Sequence, residues 1–177
     1  MGDLLTFARH YEPDLTDTDI NELLQRTVAL RSYELRVHNI AVHWDLDPDL
    51  PAIRADAHRL QQVILNLIFN AEQAVLSVKD EGLIRVSSQR CPDGRNIRFA
   101  VADNGPGIPE DYREKIFEKF YRVGDEMVRQ TEGSGLGLYL ARELVRQMGG
   151  SLVAESPGLG CGTTFRICLP LAHEEQT

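Results

Sequence analysis

NLIFNA, residues 66–71, lies in the most apolar part of a run from Leu60 to Val78 whose periodicity predicts one helix. Asn66 and Asn70 are four residues apart, so their side chains project from the same face of that helix. A buried amide without a hydrogen-bond partner costs about 1–3 kcal/mol. We therefore expect either backbone groups of the fold or a ligand to engage these two amides.

The composition of the 177-residue chain, 42% hydrophobic and 26% charged, is that of an ordinary globular domain without a membrane-spanning apolar run. A formal net charge of −8 argues against a nucleic-acid-binding surface. Phosphate binding through backbone amides and a metal is still compatible with that charge. The three cysteines lack metal-ligand spacing and suit a reducing compartment. We expect all three to be structural, with Cys161 and Cys168 in strands.

Helix and strand patterns alternate along the chain. Residues 1–9 predict the last turns of a helix, cut from a larger protein and broken at Pro13. Thr18 or Asp19 is expected to cap a helix to about residue 37, Asp56 to cap the helix that contains NLIFNA, and residues 134–148 to form a third, with a short helical piece at 113–120. Strands are predicted at 40–45, 52–54, 83–90, 96–103, 151–156 and 163–169. This order predicts an α+β two-layer sandwich, with a mixed, mostly antiparallel sheet and three main helices on one face.

A second motif, DNGPGIP at residues 103–109, follows the end of a predicted strand. Gly105 and Gly107 flank a proline and allow a tight turn with close backbone approach. The carboxylate of Asp103 is then placed to accept a hydrogen bond from an exocyclic amine. The same pattern is also typical of a simple turn.

Two further motifs follow. GSGLGL, residues 133–138, precedes a predicted helix, so its backbone amides and the positive helix end can face a phosphate chain. A dinucleotide-binding interpretation fails because no strand precedes this motif. IFEKFYR, residues 116–122, carries Phe117 and Phe120 in an irregular segment. It indicates either a loop that packs its own aromatic rings or the anchor of a lid.

In this order, Asn66/Asn70, DNGPGIP, IFEKFYR and GSGLGL resemble the N, G1, F and G2 boxes of the catalytic ATP-binding domain of bacterial sensor histidine kinases. The resemblance covers about residues 14–170 and implies the Bergerat fold shared with gyrase, Hsp90 and MutL ATPases. It implies a catalytic domain at 13–171 with a lid at about 109–133 and a tail at 172–177. LLTFARHYEP near the start resembles the end of a dimerisation helix, so residues 1–12 are expected to be its remnant and linker.

The resemblance also implies the roles of single residues, with ATP and Mg²⁺ as cofactors. Asn70 would ligate Mg²⁺, Asn66 would lie beside it near the phosphates, and Asp103 would accept from the adenine amino group. Phe117 and Phe120 would anchor the lid. The other residues expected at the nucleotide are Gly105, Gly107, Ile108, Arg122, Gly133, Ser134, Gly135, Leu136, Gly137 and Leu138.

One position separates reaction types. In hydrolytic relatives a Glu four residues before the metal-binding Asn serves as general base, whereas Asn66 cannot take a proton. The resemblance thus implies transfer of the γ-phosphoryl group to a histidine on a dimerisation domain, and then to an Asp of a response regulator receiver domain. No histidine of this chain lies in the family's acceptor context, so the acceptor is expected elsewhere: the five are His10, His38, His43, His58 and His173.

The expected setting is a monomeric fragment in the bacterial cytoplasm, without nucleic-acid or membrane contact, even where the parent protein is membrane-anchored. Three alternatives stay open. The chain can be a hydrolase of the same fold, which Asn66 and the lack of a transducer domain disfavour. It can be a module that binds ATP without transferring phosphate. It can also be a serine kinase of the anti-sigma type, which the leader sequence fits poorly.

Overall fold

The computed structural model describes residues 13–78, 81–121 and 135–171. Within these ranges a five-stranded sheet carries helices on one face, and a two-stranded sheet lies beside it. The helices are α1 (Ile20–Ala29), α2 (Ser32–Val37), α3 (Ala57–Leu76) and α4 (Gly137–Gln147). The strands are β1 (Thr16–Thr18), β2 (Ile40–Leu46), β3 (Ile53–Ala55), β4 (Gly82–Arg90), β5 (Asn96–Asp103), β6 (Ser151–Glu155) and β7 (Thr163–Pro170).

The main sheet has the strand order β2-β4-β5-β7-β6, and β1 pairs with β3. β2 runs parallel to β4, while every other neighbouring pair is antiparallel. The central strand β5 pairs with β7 along its whole length, from Asn96 opposite Pro170 to Asp103 opposite Thr163. The predicted α+β sandwich with a mixed, mostly antiparallel sheet is therefore confirmed, and Asp103 ends the central strand.

The apolar face of α3 forms the middle of the core. The Asp56 side chain caps this helix by accepting from the backbone N–H of Arg59 at 3.0 Å, as predicted. Burying an aliphatic side chain of this size contributes about 1.5–3 kcal/mol, so this face holds the helix against β4 and β5. Its fully buried apolar residues are Leu60, Val63, Ile64, Leu67, Ile68, Ala71 and Val75.

The prediction of one helix from residue 19 to about residue 37 is wrong. Asp19 is the N-cap, but α1 ends at residue 29 and α2 begins at residue 32. Between them, Arg31 reaches to α3, where its Nη2 lies 2.6 Å from Oε2 of Glu72. The other carboxylate oxygen of Glu72 lies 2.8 Å from Nδ1 of His38, and the Glu72 side chain is fully buried. This long-range charge network stabilises the break, and the local periodicity does not reveal it.

Smaller predictions are also corrected. The predicted helical piece at 113–120 is only a 3₁₀ turn, Lys115–Phe117, preceded by a second one at Glu110–Tyr112, because the backbone becomes extended at Glu118. Cys161 is exposed in the glycine-rich turn between β6 and β7, not in a strand, whereas Cys168 lies in β7 as predicted. The strand β1 goes unpredicted because its three residues, TDT, are all polar and show no alternation with apolar residues.

Some predicted segments lie outside the described residues: the helix remnant and linker at 1–12, the part of the lid at 122–133 and the tail at 172–177. In the ranges that the structure describes, no helix combines the length and the hydrophobicity needed to cross a membrane.

Candidate functional site

Asp103 carries a buried carboxylate at the end of β5, with 8% of the residue exposed. Its Oδ1 accepts from the backbone N–H groups of Gly105 at 2.8 Å and Thr163 at 3.3 Å. Its Oδ2 is buried and has no hydrogen-bond partner among the described residues. Burial raises the pKa of Asp103, and the two backbone hydrogen bonds partly oppose that rise. Because an unsatisfied buried acceptor costs about 1–3 kcal/mol, Oδ2 is the atom that a ligand donor would satisfy.

The turn after Asp103 is bonded to the turn between β6 and β7. The backbone N–H of Gly162 donates to the carbonyl of Gly105 at 3.1 Å, and that of Gly160 donates to the carbonyl of Pro106 at 2.6 Å. Together with the bond from β7 to Asp103, these contacts join the two turns side by side. The predicted tight turn is therefore one wall of a site that two turns build.

Ser156 connects this wall to the segment that follows it. Its buried Oγ accepts from the backbone N–H of Ile108 at 3.1 Å, and its carbonyl accepts from Nη2 of Arg113 at 2.5 Å. Gly107 has φ +75°, and a Cβ at this position would collide with the carbonyl oxygen of Gly158. Any other residue would therefore have a strained backbone here and would clash with this carbonyl oxygen.

The sequence prediction missed the residues of the β6–β7 turn. Ser156, Gly162 and Thr163 shape the Asp103 site from the neighbouring hairpin. The signal available in the sequence was the glycine-rich run SPGLGCGT at residues 156–163, placed between two strands. By its position alone, this run predicts only a connection between the two strands.

The two amides of NLIFNA are half-buried at the edge of the apolar face of α3. Nδ2 of Asn66 donates to the carbonyl of Gly137 at 3.1 Å, and Nδ2 of Asn70 donates to the carbonyl of Asn66 at 2.7 Å. The fold thus supplies a backbone acceptor for each amide nitrogen. In the described part of the chain, no group donates to the side-chain oxygen of Asn70, so this oxygen can still engage a ligand.

The start of α4 packs against Asn66. A Cβ on Gly137, the first residue of α4, would lie 2.7 Å from Oδ1 of Asn66. Leu136 occupies the N-cap position, where its carbonyl accepts from the N–H of Leu140 at 2.9 Å, and Leu138 packs against the core. The absence of a side chain at Gly137 therefore lets the two helices approach closely at the amide face.

Phe117 anchors the segment that follows DNGPGIP. It is 4% exposed, and its ring makes an edge-to-face contact with Phe165 of β7 at 6.3 Å between centroids. The guanidinium of Arg142 from α4 lies 4.6 Å from the Phe117 centroid and also bonds Glu114 at 2.9 Å. Phe117 therefore holds the first part of the predicted lid against both the sheet and α4.

Phe120 does not share that anchoring role in this structure. Phe120 is 70% exposed, and its backbone has a positive φ of 62°. Its backbone N–H donates to the carbonyl of Gly135 at 3.0 Å. Phe120 is therefore fixed through its backbone, at the point where the chain meets Gly135 of the GSGLGL motif.

Three of the predicted motifs meet on one face of α3. Asn66 contacts Gly137 of GSGLGL, while a Cβ on Gly105 of DNGPGIP would lie 3.0 Å from the backbone of Ala74. Residues 66, 70 and 74 are spaced by four, so they share a helix face with Asn70 between the two contacts. The other predicted site residues, Arg122, Gly133 and Ser134, lie outside the described residues, and their roles stay predictions.

Comparison with known proteins identifies this arrangement. A family model described as "Histidine kinase-, DNA gyrase B-, and HSP90-like ATPase" matches residues 55–173, which include all four motifs. The chain belongs to this ATPase family. Within the family, the sensor histidine kinase ZraS of Klebsiella oxytoca is 34% identical over 168 residues, covering 94% of this chain and 34% of that kinase. The sensory histidine kinase/phosphatase NtrB of Rhodobacter capsulatus is 35% identical over 181 residues, covering 96% of this chain and 47% of NtrB.

Solved structures of this ATPase family share the fold. The full-length ShkA structure in complex with AMPPNP superposes with a TM-score of 0.78 at 34% identity, covering 94% of this chain and 33% of ShkA. The nucleotide-free catalytic domain of the histidine kinase ThkA gives a TM-score of 0.76 at 29% identity, covering 90% of this chain and 97% of that domain. These matches confirm the predicted resemblance to histidine kinase catalytic domains. The chain spans about a third to a half of the length of ZraS and NtrB.

Proposed function

We propose that this chain binds Mg-ATP and presents the γ-phosphoryl group to a histidine on a dimerisation domain outside residues 1–177. The observation that carries this proposal is the meeting of DNGPGIP, GSGLGL and the paired amides on one face of α3. Membership of the ATPase family and the AMPPNP complex of the similar ShkA support ATP as the nucleotide.

Asp103 would select the base. Its buried Oδ2 has no partner in the described part of the chain, and it accepts hydrogen bonds without donating them when ionised. The adenine exocyclic amine supplies the missing donor. Guanine presents a carbonyl oxygen at the same place, so two acceptors would face each other without a proton between them. The free oxygen therefore favours adenine over guanine.

Asn70 and the start of α4 would bind the phosphates. Mg²⁺ prefers oxygen ligands and retains several waters, so one amide oxygen plus phosphate oxygens suffices as a site. The available side-chain oxygen of Asn70 fits this requirement, so Asn70 is the residue that would hold the ion. When bound, the ion would offset negative charge on the phosphates. The first-turn N–H groups of α4, which begins beside Asn66 at Gly137, would add donors from the positive helix end.

The chemistry of Asn66 favours phosphoryl transfer over hydrolysis. An amide cannot take a proton from water, and Nδ2 of Asn66 is engaged with the carbonyl of Gly137. The γ-phosphoryl group is then available to a nucleophile from another domain. A structure of the similar kinase ThkA in complex with the response regulator TrrA, at 27% identity and a TM-score of 0.73, supports a receiver domain as the downstream partner.

Calorimetric titration with ATP in the presence of Mg²⁺ tests the nucleotide site. A hydrogen bond to a charged group contributes about 1.5–3 kcal/mol, so Asp103→Asn should weaken ATP binding by about 10- to 150-fold. It should also reduce the preference for ATP over GTP. The matched control is Asp45→Asn on β2, which changes an exposed aspartate and should leave affinity unchanged. Wild-type affinity in a folded Asp103→Asn variant would contradict the proposed adenine contact.

A further inference from the structure

Two cysteines face each other at the end of the sheet remote from Asp103. Cys91 follows β4 and Cys168 lies in β7, and their sulfur atoms are 3.9 Å apart in a thiol hydrogen bond. Both are free and half-buried, so reagents in solution can reach them. Cys168 is paired with Arg98, five residues before the end of β5, which places the thiols about 17 Å along the strand from Asp103.

The surroundings give the two thiols different reactivity. Burial, together with the neighbouring Cys91 and Asp93, raises the pKa of the Cys168 thiol to about 11. Cys168 therefore stays protonated at neutral pH, and its S–H can donate to the sulfur of Cys91. Since the thiolate is the nucleophile, Cys91 is the sulfur that reacts first with an oxidant.

We propose that Cys91 and Cys168 form a peroxide-reactive dithiol that closes to an intramolecular disulfide. The Cys91 thiolate attacks one oxygen of hydrogen peroxide, the O–O bond breaks, and a sulfenic acid and hydroxide result. The Cys168 sulfur then attacks the sulfenic sulfur, forming the S–S bond as the S–O bond breaks and the thiol proton leaves with the hydroxide as water. In total two thiols are oxidised and one peroxide is reduced to two waters.

The turn that holds Cys91 can supply the required movement. A disulfide brings the two sulfur atoms to about 2.05 Å and the two Cα atoms to within about 7 Å. Because β5 lies between β4 and β7 in the sheet, the backbone of Cys91 must move toward β7, and not its sulfur atom alone. Cys91 begins the exposed β4–β5 turn, where its carbonyl accepts from the N–H of Gly94 at 2.9 Å. Gly94 has open space around it. Cys168 is held in the ladder between β5 and β7. Cys91 donates its backbone N–H to the carbonyl of Asn96 at 2.8 Å, so closing the disulfide requires the turn to shift and give up this bond.

The disulfide would act on stability and not on the nucleotide site. It would join the β4–β5 turn to β7 and close a loop between residues 77 apart in sequence. A cross-link over so long a loop restricts the unfolded chain, so the oxidised protein should melt several degrees higher. Because the thiols and Asp103 lie at opposite ends of β5, ATP affinity should change by less than about twofold, and the inference does not depend on the proposed function.

Peptide mapping after peroxide treatment tests the proposal. The reduced 177-residue chain is exposed to stoichiometric hydrogen peroxide, alkylated with N-ethylmaleimide, digested without reductant and analysed by mass spectrometry. We expect linked peptides that contain Cys91 and Cys168, reversal by dithiothreitol, and alkylated Cys161. Cys161→Ser is the matched control and should form the same disulfide, whereas Cys91→Ser and Cys168→Ser should not form it.

The contrary results are equally definite. Alkylation of both Cys91 and Cys168 after peroxide treatment would overturn the proposal, as would links to Cys161 or oxidation of single thiols without cross-linking. This readout needs only the wild-type chain, so it decides the matter even if a serine variant fails to fold. If the disulfide forms but the melting temperature of the oxidised chain does not rise, the stabilising role is wrong.

Discussion

At the residue scale, Asp103 links the site to stability. Burial raises its pKa, so the folded state holds the protonated carboxyl more readily than the unfolded chain does. The favourable contribution of Asp103 to the free energy of unfolding is therefore fully present below the pKa of the unfolded state. It is lost as the pH rises through the higher pKa of the folded state. The folded, ligand-free protein then carries an ionised acceptor that only a bound donor satisfies.

The raised pKa of Asp103 predicts how the stability difference between the wild type and Asp103→Asn depends on pH. The free energy of unfolding of the wild type, relative to that of Asp103→Asn, should fall as the pH rises from below the unfolded pKa to above the folded one. It should be constant at higher pH. Urea unfolding of both proteins across the acid range measures the difference. A difference that is flat, or that grows with pH, would show that burial does not dominate the ionisation of this carboxyl.

Phe117 and Phe120 should differ strongly, although the sequence assigns them the same role. Phe117 is buried against Phe165 and Arg142, so Phe117→Ala should lower the free energy of unfolding by about 3–5 kcal/mol. Phe120 is 70% exposed, so Phe120→Ala should change it by less than about 0.5 kcal/mol. Denaturant unfolding of the two variants provides the comparison. Equal losses would contradict the single anchor at Phe117.

At the element scale, α3 is the common wall of the site. Its buried face holds the sheet, and the adjoining face contacts both the start of α4 and the turn after β5. These two contacts, at Asn66 and Ala74, are eight residues apart on the same rigid helix, so a shift of α3 along its axis would disturb both at once. The site therefore depends on the packing of one helix between two glycine-rich segments.

Gly137→Ala tests this close approach. An alanine in place of a helical glycine normally stabilises a protein by about 0.5–1 kcal/mol. Here the added Cβ would lie 2.7 Å from Oδ1 of Asn66, so the amide must move and its bond to the backbone of residue 137 is weakened. We expect a lower melting temperature and weaker ATP binding. A more stable variant with unchanged ATP affinity would show that α3 and α4 can move apart without weakening the fold or the site.

At the scale of the whole molecule, local sequence patterns are sufficient to predict the helix layer and the sheet layer of the fold. The alternation of apolar and polar residues predicts the strands that form the β4–β5 and β6–β7 hairpins, and Asp19 and Asp56 cap their helices as expected. These features arise from interactions within a few residues. The spacing of Asn66 and Asn70 likewise places them on one face, because helix geometry alone decides it.

What the sequence could not show depends on contacts between distant segments. The break between α1 and α2 follows the bond from Arg31 to Glu72, and no local pattern marks that pair. Ser156 and Thr163 reach the site only because β7 pairs with β5. The difference between Phe117 and Phe120 likewise depends on which ring meets β7 and α4. Tertiary packing decides such positions, and spacing alone does not.

The chain as a whole matches one part of longer proteins in its family. It spans about a third of ZraS and about a half of NtrB. Among its described histidines, His38 is bonded to Glu72 while His43 and His58 lie on β2 and α3.

Phosphoryl transfer to that domain tests the central claim most directly. The chain is mixed with Mg-ATP labelled at the γ-phosphate and with a dimerisation domain that carries the proposed acceptor histidine, and the label on that domain is followed over time. We expect an acid-labile, base-stable phosphohistidine with the wild type, and its loss with Asn70→Ala. Release of inorganic phosphate without labelled histidine, despite tight ATP binding, would contradict it.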